Sequence, residues 1–352
     1  MNNVKKYTDL VRIPPRQERA GFLRLDMNEN PEGLPKDFVS KVMSQITPEY
    51  IAMYPEPDKL RKILAGYLDV NMDQILITNG SDEALDIIFE VFGDKEKKVV
   101  SVNPTFAMYN VYSKMAEMEN VTISYKEDFT VDIKEILDKI DEDTAIVSLL
   151  NPNNPIGSVY SVEDVREIIK KAQSVGAIVI IDEAYHYFYS NTFLEECKTN
   201  NNVILVRTFS KLCSIAGLRI GFVVSSPEIV KVLFNAKETF NVNTIGLKFA
   251  EEIIGDKELI PALIEIEKDG RQYVVEQLKE RNIPYYAQNG NYVFIYCGDN
   301  AKKVVELLEK NKVLVKFYEN NPMLNKYIRI STGSRKIMEE FMAKFDSVRA
   351  EA

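Results

Sequence analysis

The sequence predicts an α/β protein, with a mostly parallel sheet in a large domain and a smaller α+β domain after it. Three observations carry this. Between residues 36 and 235, short runs that are apolar on both faces alternate with longer amphipathic stretches, the pattern of strands buried between helices. Nearly every such run ends in polar, Gly or Pro residues, and the carboxyl ends of strands are where an open parallel sheet binds ligands. Beyond 235 the pattern changes to long charged helical stretches followed by alternating strands.

Residues 1–35 read as an arm lying over the body of the protein. They hold Pro14, Pro15 and Pro31 together with Arg12, Arg16, Arg19 and Arg24. These arginines are solvated arm charges or, for one of them, a contact to a substrate phosphate. The large domain, 36–235, has its strands at 74–78, 98–102, 145–150, 177–181, 203–206 and 220–224, with a helix from 84 to 91. The small domain, 236–352, has helical patterns at 260–281 and 301–310 and a strand at 292–296. There is no internal repeat or low-complexity tract.

The chain has 352 residues, of which 45% are hydrophobic and 28% charged, with a formal net charge of −9. That is ample for a core and opposed to a nucleic-acid-binding surface, which needs clustered Lys and Arg. Cys197, Cys213 and Cys297 form no metal-ligand spacing and no disulfide framework, so no metal is expected and a reducing compartment is. No apolar h-region follows the first residues, and no apolar run is long enough to span a bilayer. A cytoplasmic protein with a small-molecule ligand is the expectation.

The strand ends carry the chemistry. Asn79-Gly80-Ser81-Asp82-Glu83 enters a helix, where free backbone N–H groups suit a phosphate, or where the acidic residues simply favour the helix start. Asn103-Pro104-Thr105-Phe106-Ala107-Met108-Tyr109 places an aromatic just past a strand, for stacking on a planar ring or for core packing. Asn151-Pro152-Asn153-Asn154-Pro155-Ile156-Gly157 is a stiff loop that fixes an Asn amide. Asp182 ends a five-residue apolar run, so its carboxylate is desolvated and calls for a cationic partner such as a protonated pyridine nitrogen. Arg207-Thr208-Phe209-Ser210-Lys211 sets a lysine at the mouth of the sheet, where it suits a Schiff base or is an ordinary surface lysine.

Taken together, these segments resemble the fold-type I pyridoxal-5′-phosphate (PLP) aminotransferases of classes I and II, and most closely the histidinol-phosphate aminotransferase-like group. The resemblance runs from Leu25-Asp26-Met27-Asn28-Glu29-Asn30-Pro31 through Tyr54-Pro55-Glu56-Pro57 to Tyr327-Ile328-Arg329-Ile330-Ser331-Thr332-Gly333. It implies a seven-stranded-type sheet and a homodimer with PLP at the domain and subunit boundary. It implies that Lys211 carries PLP as a Schiff base and moves a proton, and that Asp182 pairs with the ring nitrogen. Tyr185 and Asn154 would bond the ring oxygen O3′, and Phe106 would stack on the ring. The amides of Ser81 and Asp82, the Ser210 hydroxyl and the Arg219 guanidinium would hold the phosphate, joined by Tyr54 of the neighbouring subunit. Arg329 would grip a substrate anion, and Asn30 would also contact substrate.

The family usually has Thr where this chain has Ile156, and often Ala-Phe-Gly-Leu-Ala-Gly where it has Leu212-Cys213-Ser214-Ile215-Ala216-Gly217. Cys213 reads as a small packing residue and His186, the one histidine, as structural. The implied activity is transamination of a phosphorylated amino alcohol or amino acid, histidinol phosphate with 2-oxoglutarate by default. The alternative is a decarboxylase of threonine phosphate or serine phosphate. A non-catalytic PLP-binding domain fits poorly with the retained Lys211, and a nicotinamide dehydrogenase lacks its G-x-G-x-x-G turn.

Overall fold

A computed structural model describes Leu10 and residues 18–351. The twelve strands β1 (Leu23–Leu25), β2 (Ile75–Thr78), β3 (Lys98–Asn103), β4 (Glu119–Ser124), β5 (Thr144–Leu150), β6 (Ile178–Asp182), β7 (Val203–Thr208), β8 (Gly221–Val224), β9 (Tyr285–Tyr286), β10 (Tyr292–Tyr296), β11 (Val313–Phe317) and β12 (Tyr327–Ser331) form two sheets.

The larger sheet has seven strands in the order β2-β8-β7-β6-β5-β3-β4. All its neighbours run parallel except β8, which is antiparallel to both β7 and β2. Strands β5 and β7 are buried along their whole length, as expected of strands covered on both faces. The exception is β4, an edge strand with most of its residues at least partly exposed. It has no apolar run to betray it, and it is the one strand of this sheet that sequence pattern leaves out.

The smaller sheet has the order β1-β11-β12-β10-β9. The helices Leu259–Glu280, Ala301–Lys310 and Arg335–Glu351 supply side chains to its core, where Val274, Val304, Phe341 and Phe345 meet Val293, Ile295, Val313 and Ile330. Two features depart from the expected division of the chain. Leu23–Leu25, read as part of an arm, pairs in parallel with β11 and buries Leu25 in this core. Leu247, Ile253, Leu259 and Leu263 belong to the core of the larger sheet, which therefore extends past residue 235. In both places burial follows packing partners far away in sequence, which a local change of pattern does not register. Among the described residues no helix is long and apolar enough to cross a membrane.

Candidate active site

Strand register gathers the functional segments at one edge of the larger sheet. Thr78, ending β2, pairs with Gly221, which starts β8, and Gly221 pairs in turn with Thr208, ending β7. Val206 of β7 pairs with Asp182, ending β6, and Asp182 pairs with Leu150, ending β5. The residues flanking these ends, Ser81, Asn154, Tyr185, Ser210, Lys211 and Arg219, are thereby brought to the same side. This is the edge where parallel sheets bind ligands.

One end of the site is a cradle. Gly80 has φ +74°, and a Cβ there would run into the Arg219 guanidinium. A Cβ on Gly221 would lie 2.7 Å from the amide nitrogen of Ser81. Only glycines allow these three segments to close up. Ser81 and Asp82 stand in the first turn of the helix Gly80–Phe92, where backbone N–H groups have no partner within the helix. Arg219 donates to Ser210 Oγ at 3.4 Å and to Asp82 Oδ2 at 3.1 Å. A cluster of N–H groups, a hydroxyl and a guanidinium is the donor set of a phosphate.

Asp182 is 2% exposed. Its Oδ1 accepts from the Ala184 amide at 2.9 Å and its Oδ2 from the Tyr109 hydroxyl at 3.0 Å. Burial pushes its carboxyl up to about 6, against the pull of these two hydrogen bonds. Neither partner is a cation, and Lys211 acts on it only through space. A protonated ring nitrogen is the kind of group that such a carboxylate lacks. Next to it, Glu183 and Arg207 form a buried ion pair at 2.7 Å, with the Thr192 hydroxyl and the Phe193 amide also donating to the Glu183 carboxylate.

Lys211 Nζ donates to the Met27 carbonyl at 3.2 Å and lies 5.5 Å from the centre of the Tyr185 ring. The Tyr185 hydroxyl accepts from Asn28 Nδ2 at 2.9 Å. Arg329, 4% exposed, donates to Asn154 Oδ1 at 2.8 Å, Tyr318 Oη at 2.7 Å and the Asp26 carbonyl at 2.8 Å. Its Nε is buried without a partner. The amide nitrogen of Asn154 is likewise not used in holding Arg329. Asn153 fixes this loop by accepting from Thr105 Oγ1 at 2.6 Å and, through its carbonyl, from Tyr292 Oη at 2.7 Å.

Other residues singled out from sequence lie around these groups. Phe106 is half-buried and meets the Tyr109 ring edge-on at 6.1 Å, and it is Tyr109 that reaches Asp182. Asn30, expected to touch substrate, has its amide bonded to Ser214 Oγ at 2.7 Å and the Gly33 carbonyl at 3.2 Å, while its Oδ1 accepts from Glu32 N. Asn30 nonetheless lines a cavity with Lys211, and Asn28 of the same segment bonds Tyr185. Arg19 is not a free arm charge, because Asp26 at 2.7 Å and Glu29 at 2.8 Å both pair with it. Arg24 lies 3.6 Å from Glu29; Arg12 and Arg16 fall outside the described residues. Cys213 is 1% exposed and burial pushes its thiol up to about 12, so it packs rather than reacts. His186 is held well below its usual range by burial and by Arg207, with its ring against Tyr187 at 3.8 Å. Tyr54 is 72% exposed and stacks on Phe240 at 4.1 Å.

Asn28, Tyr109 and the Glu183–Arg207 pair were not singled out from sequence. The one available signal was for Glu183, a second carboxylate after a buried strand whose cation stands at the same depth on the next strand.

The sequence model of the class I and II aminotransferases matches residues 20–345. A histidinol-phosphate aminotransferase of Clostridium novyi is 34% identical over 318 residues, covering 89% of this chain and 88% of that protein. One from Caldanaerobacter subterraneus is 35% identical over 315 residues, 88% of each. The crystal structure of histidinol-phosphate aminotransferase from Sinorhizobium meliloti in complex with pyridoxal-5′-phosphate superposes with a TM-score of 0.86 at 23% identity, covering 98% of this chain and 97% of that one.

Proposed function

The chain belongs to the class I and II aminotransferases, and on that premise we propose that it moves an amino group between a phosphorylated amine, histidinol phosphate by default, and 2-oxoglutarate. It is a PLP-dependent transaminase. The observation that carries the site assignment is Asp182, a buried carboxylate without a cationic partner, on the same sheet edge as the Lys211 amine and the Gly80–Arg219 cradle. The substrate assignment draws on the relatives at 34% and 35% identity, both histidinol-phosphate aminotransferases.

When bound, PLP supplies an electron sink that weakens the bonds at the substrate's Cα. The residues divide the remaining work. Lys211 would hold the cofactor covalently and then, as a free amine, take the proton from Cα and return it to C4′. Asp182 would keep a proton on the ring nitrogen, since ionic pairing offsets the burial that now disfavours its charge. Tyr185 and the Asn154 amide would bond O3′, and Phe106 with Tyr109 would form the aromatic side of the ring site. The amides of Ser81 and Asp82, Ser210 Oγ and Arg219 would hold the phosphate. Arg329, oriented by Asn154, Tyr318 and Asp26, would hold a substrate anion.

The alternative, decarboxylation of an O-phospho amino acid, needs an arginine from the arm to take the phosphate. Of the two arm arginines described, Arg19 is occupied by Asp26 and Glu29 and Arg24 lies beside Glu29, which favours transamination. Incubating the PLP-loaded enzyme with histidinol phosphate and 2-oxoglutarate tests the choice. Glutamate forms if the reading is right; CO₂ release from threonine phosphate or serine phosphate, without glutamate, overturns it.

We further infer a cytoplasmic homodimer. Ile51, Met53, Tyr54 and Phe240 are each more than half exposed, an apolar patch of the kind an interface covers. A second copy seated there would bring Tyr54 to the neighbouring phosphate cradle.

A further inference from the structure

We propose that Asn28 is a positioning residue: its amide fixes the Tyr185 phenol oxygen so that the phenol O–H is delivered to the ring oxygen of the cofactor. This rests on the reading of Tyr185 given above.

Three successive residues of one segment touch three residues assigned to the chemistry. The Asp26 carbonyl accepts from Arg329, the Met27 carbonyl from Lys211, and Asn28 donates to Tyr185. The first two contacts use backbone carbonyls, which any sequence offers. The third depends on the side chain. Asn28 is 1% exposed and has φ +56°, a left-handed conformation that asparagine tolerates better than most residues.

Its other polar groups are all committed to the smaller sheet. The backbone N–H donates to Ser331 Oγ at 2.8 Å, the carbonyl accepts from Asn291 Nδ2 at 3.0 Å, and Oδ1 lies 3.5 Å from Ser331 Oγ. With the residue anchored on that side, its Nδ2 projects to Tyr185 across a distance of 2.9 Å.

A phenol has one proton and accepts through its lone pairs. Because Asn28 Nδ2 has no lone pair to offer, Tyr185 must be the acceptor in this bond, and its own proton is left for another partner. Among the described residues it donates to none. A hydroxyl that accepts a hydrogen bond also donates a stronger one. Delivered to the ring oxygen, that bond favours the oxygen's anionic form, so the Lys211 nitrogen beside it gives up its proton at lower pH. The titratable groups around Tyr185 are Lys211 at 5.5 Å and Tyr292, edge-on at 5.6 Å, with Tyr109, Tyr318 and Arg329 beyond. None of them is altered by the variants below.

The test is a pH titration of the visible absorbance of the Lys211-bound cofactor, in the wild type and in Tyr185→Phe, Asn28→Asp and Asn28→Gly. Asn28→Asp turns the donor into an acceptor that draws the phenol proton away from the ring, and its midpoint is expected to rise by about one pH unit, as in Tyr185→Phe. Asn28→Gly keeps the left-handed backbone and adds no charge; a smaller rise is expected, and it carries the test alone should the aspartate variant fail to fold. A shift in Tyr185→Phe with none in either Asn28 variant overturns the role of Asn28 and leaves that of Tyr185 standing. No shift in Tyr185→Phe overturns both.

Discussion

Tyr109 donates its phenolic proton to Asp182 across 3.0 Å, and both side chains are almost completely buried. This neutral partner leaves the carboxylate's charge poorly compensated, and its folded-state value of about 6 lies above the ordinary 3.8. A raised acid penalises the native state once it ionises, so the penalty is full above the folded value and absent below the ordinary one. Asp182→Asn should therefore stabilise the cofactor-free protein by about 3 kcal/mol at about pH 8, with the gain fading as pH falls through about 6 and gone below about 4. Denaturant unfolding of the two apo-proteins across that range measures it. Loading with PLP should reverse the order, because only the aspartate can pair with a cationic ring.

On the proposed mechanism, Lys211→Ala removes both the covalent tether and the base. Turnover should fall by about a thousandfold or more, and the cofactor should leave on gel filtration under denaturing conditions. Wild-type turnover in this variant rules out the mechanism proposed.

Glu183 and Arg207 sit side by side at the carboxyl ends of β6 and β7, beneath Asp182 and four residues before Lys211. Removing one partner strands a charge in the core, so Arg207→Met should cost about 3–5 kcal/mol of stability in chemical denaturation. Replacing both with apolar residues should cost less than the single change.

Arg329→Lys retains the charge but loses the planar fork held by Asn154, Tyr318 and the Asp26 carbonyl. KM for the anionic partner should rise about 10- to 100-fold with a smaller change in kcat. Equal losses in kcat and kcat/KM, with KM unchanged, would point to a structural role instead.

Tyr54 and Phe240 stack in the open at 4.1 Å. If this patch is the subunit interface, Tyr54→Ser with Phe240→Ser should sediment as a monomer where the wild type sediments as a dimer. PLP affinity should fall by about tenfold with the loss of the neighbouring phosphate contact. A monomeric wild type would remove the interface from the proposal.

Much of the large sheet was legible because strands buried on both faces leave uninterrupted apolar runs, as in β5 and β7. Strand β4 was not, since an edge strand keeps polar side chains. Leu23–Leu25 was hidden for a different reason: three residues with an arginine among them become a strand only because β11, nearly 300 residues on, offers a free edge. The site shows the same division. Ser81, Asp182, Ser210, Lys211 and Arg219 follow or precede strands of one sheet, so their convergence can be argued from topology. The contact of Asn28 with Tyr185, and the choice of Tyr109 over Phe106 as neighbour to Asp182, depend on side-chain directions that no spacing rule supplies.

The parallel pairing of β1 with β11 also orders events during synthesis. The strand at Leu23–Leu25 leaves the ribosome long before its partner at Val313–Phe317. By then every strand of the larger sheet has been made. The lobe with the phosphate cradle can therefore assemble first, while the opening segment waits without a partner. When the final strands arrive, that segment docks and carries Asp26, Met27 and Asn28 onto Arg329, Lys211 and Tyr185. Assembly of the proposed catalytic centre is thus coupled to synthesis of β11, and a nascent product that stops short of it lacks the strand that sets Leu23–Leu25 in place.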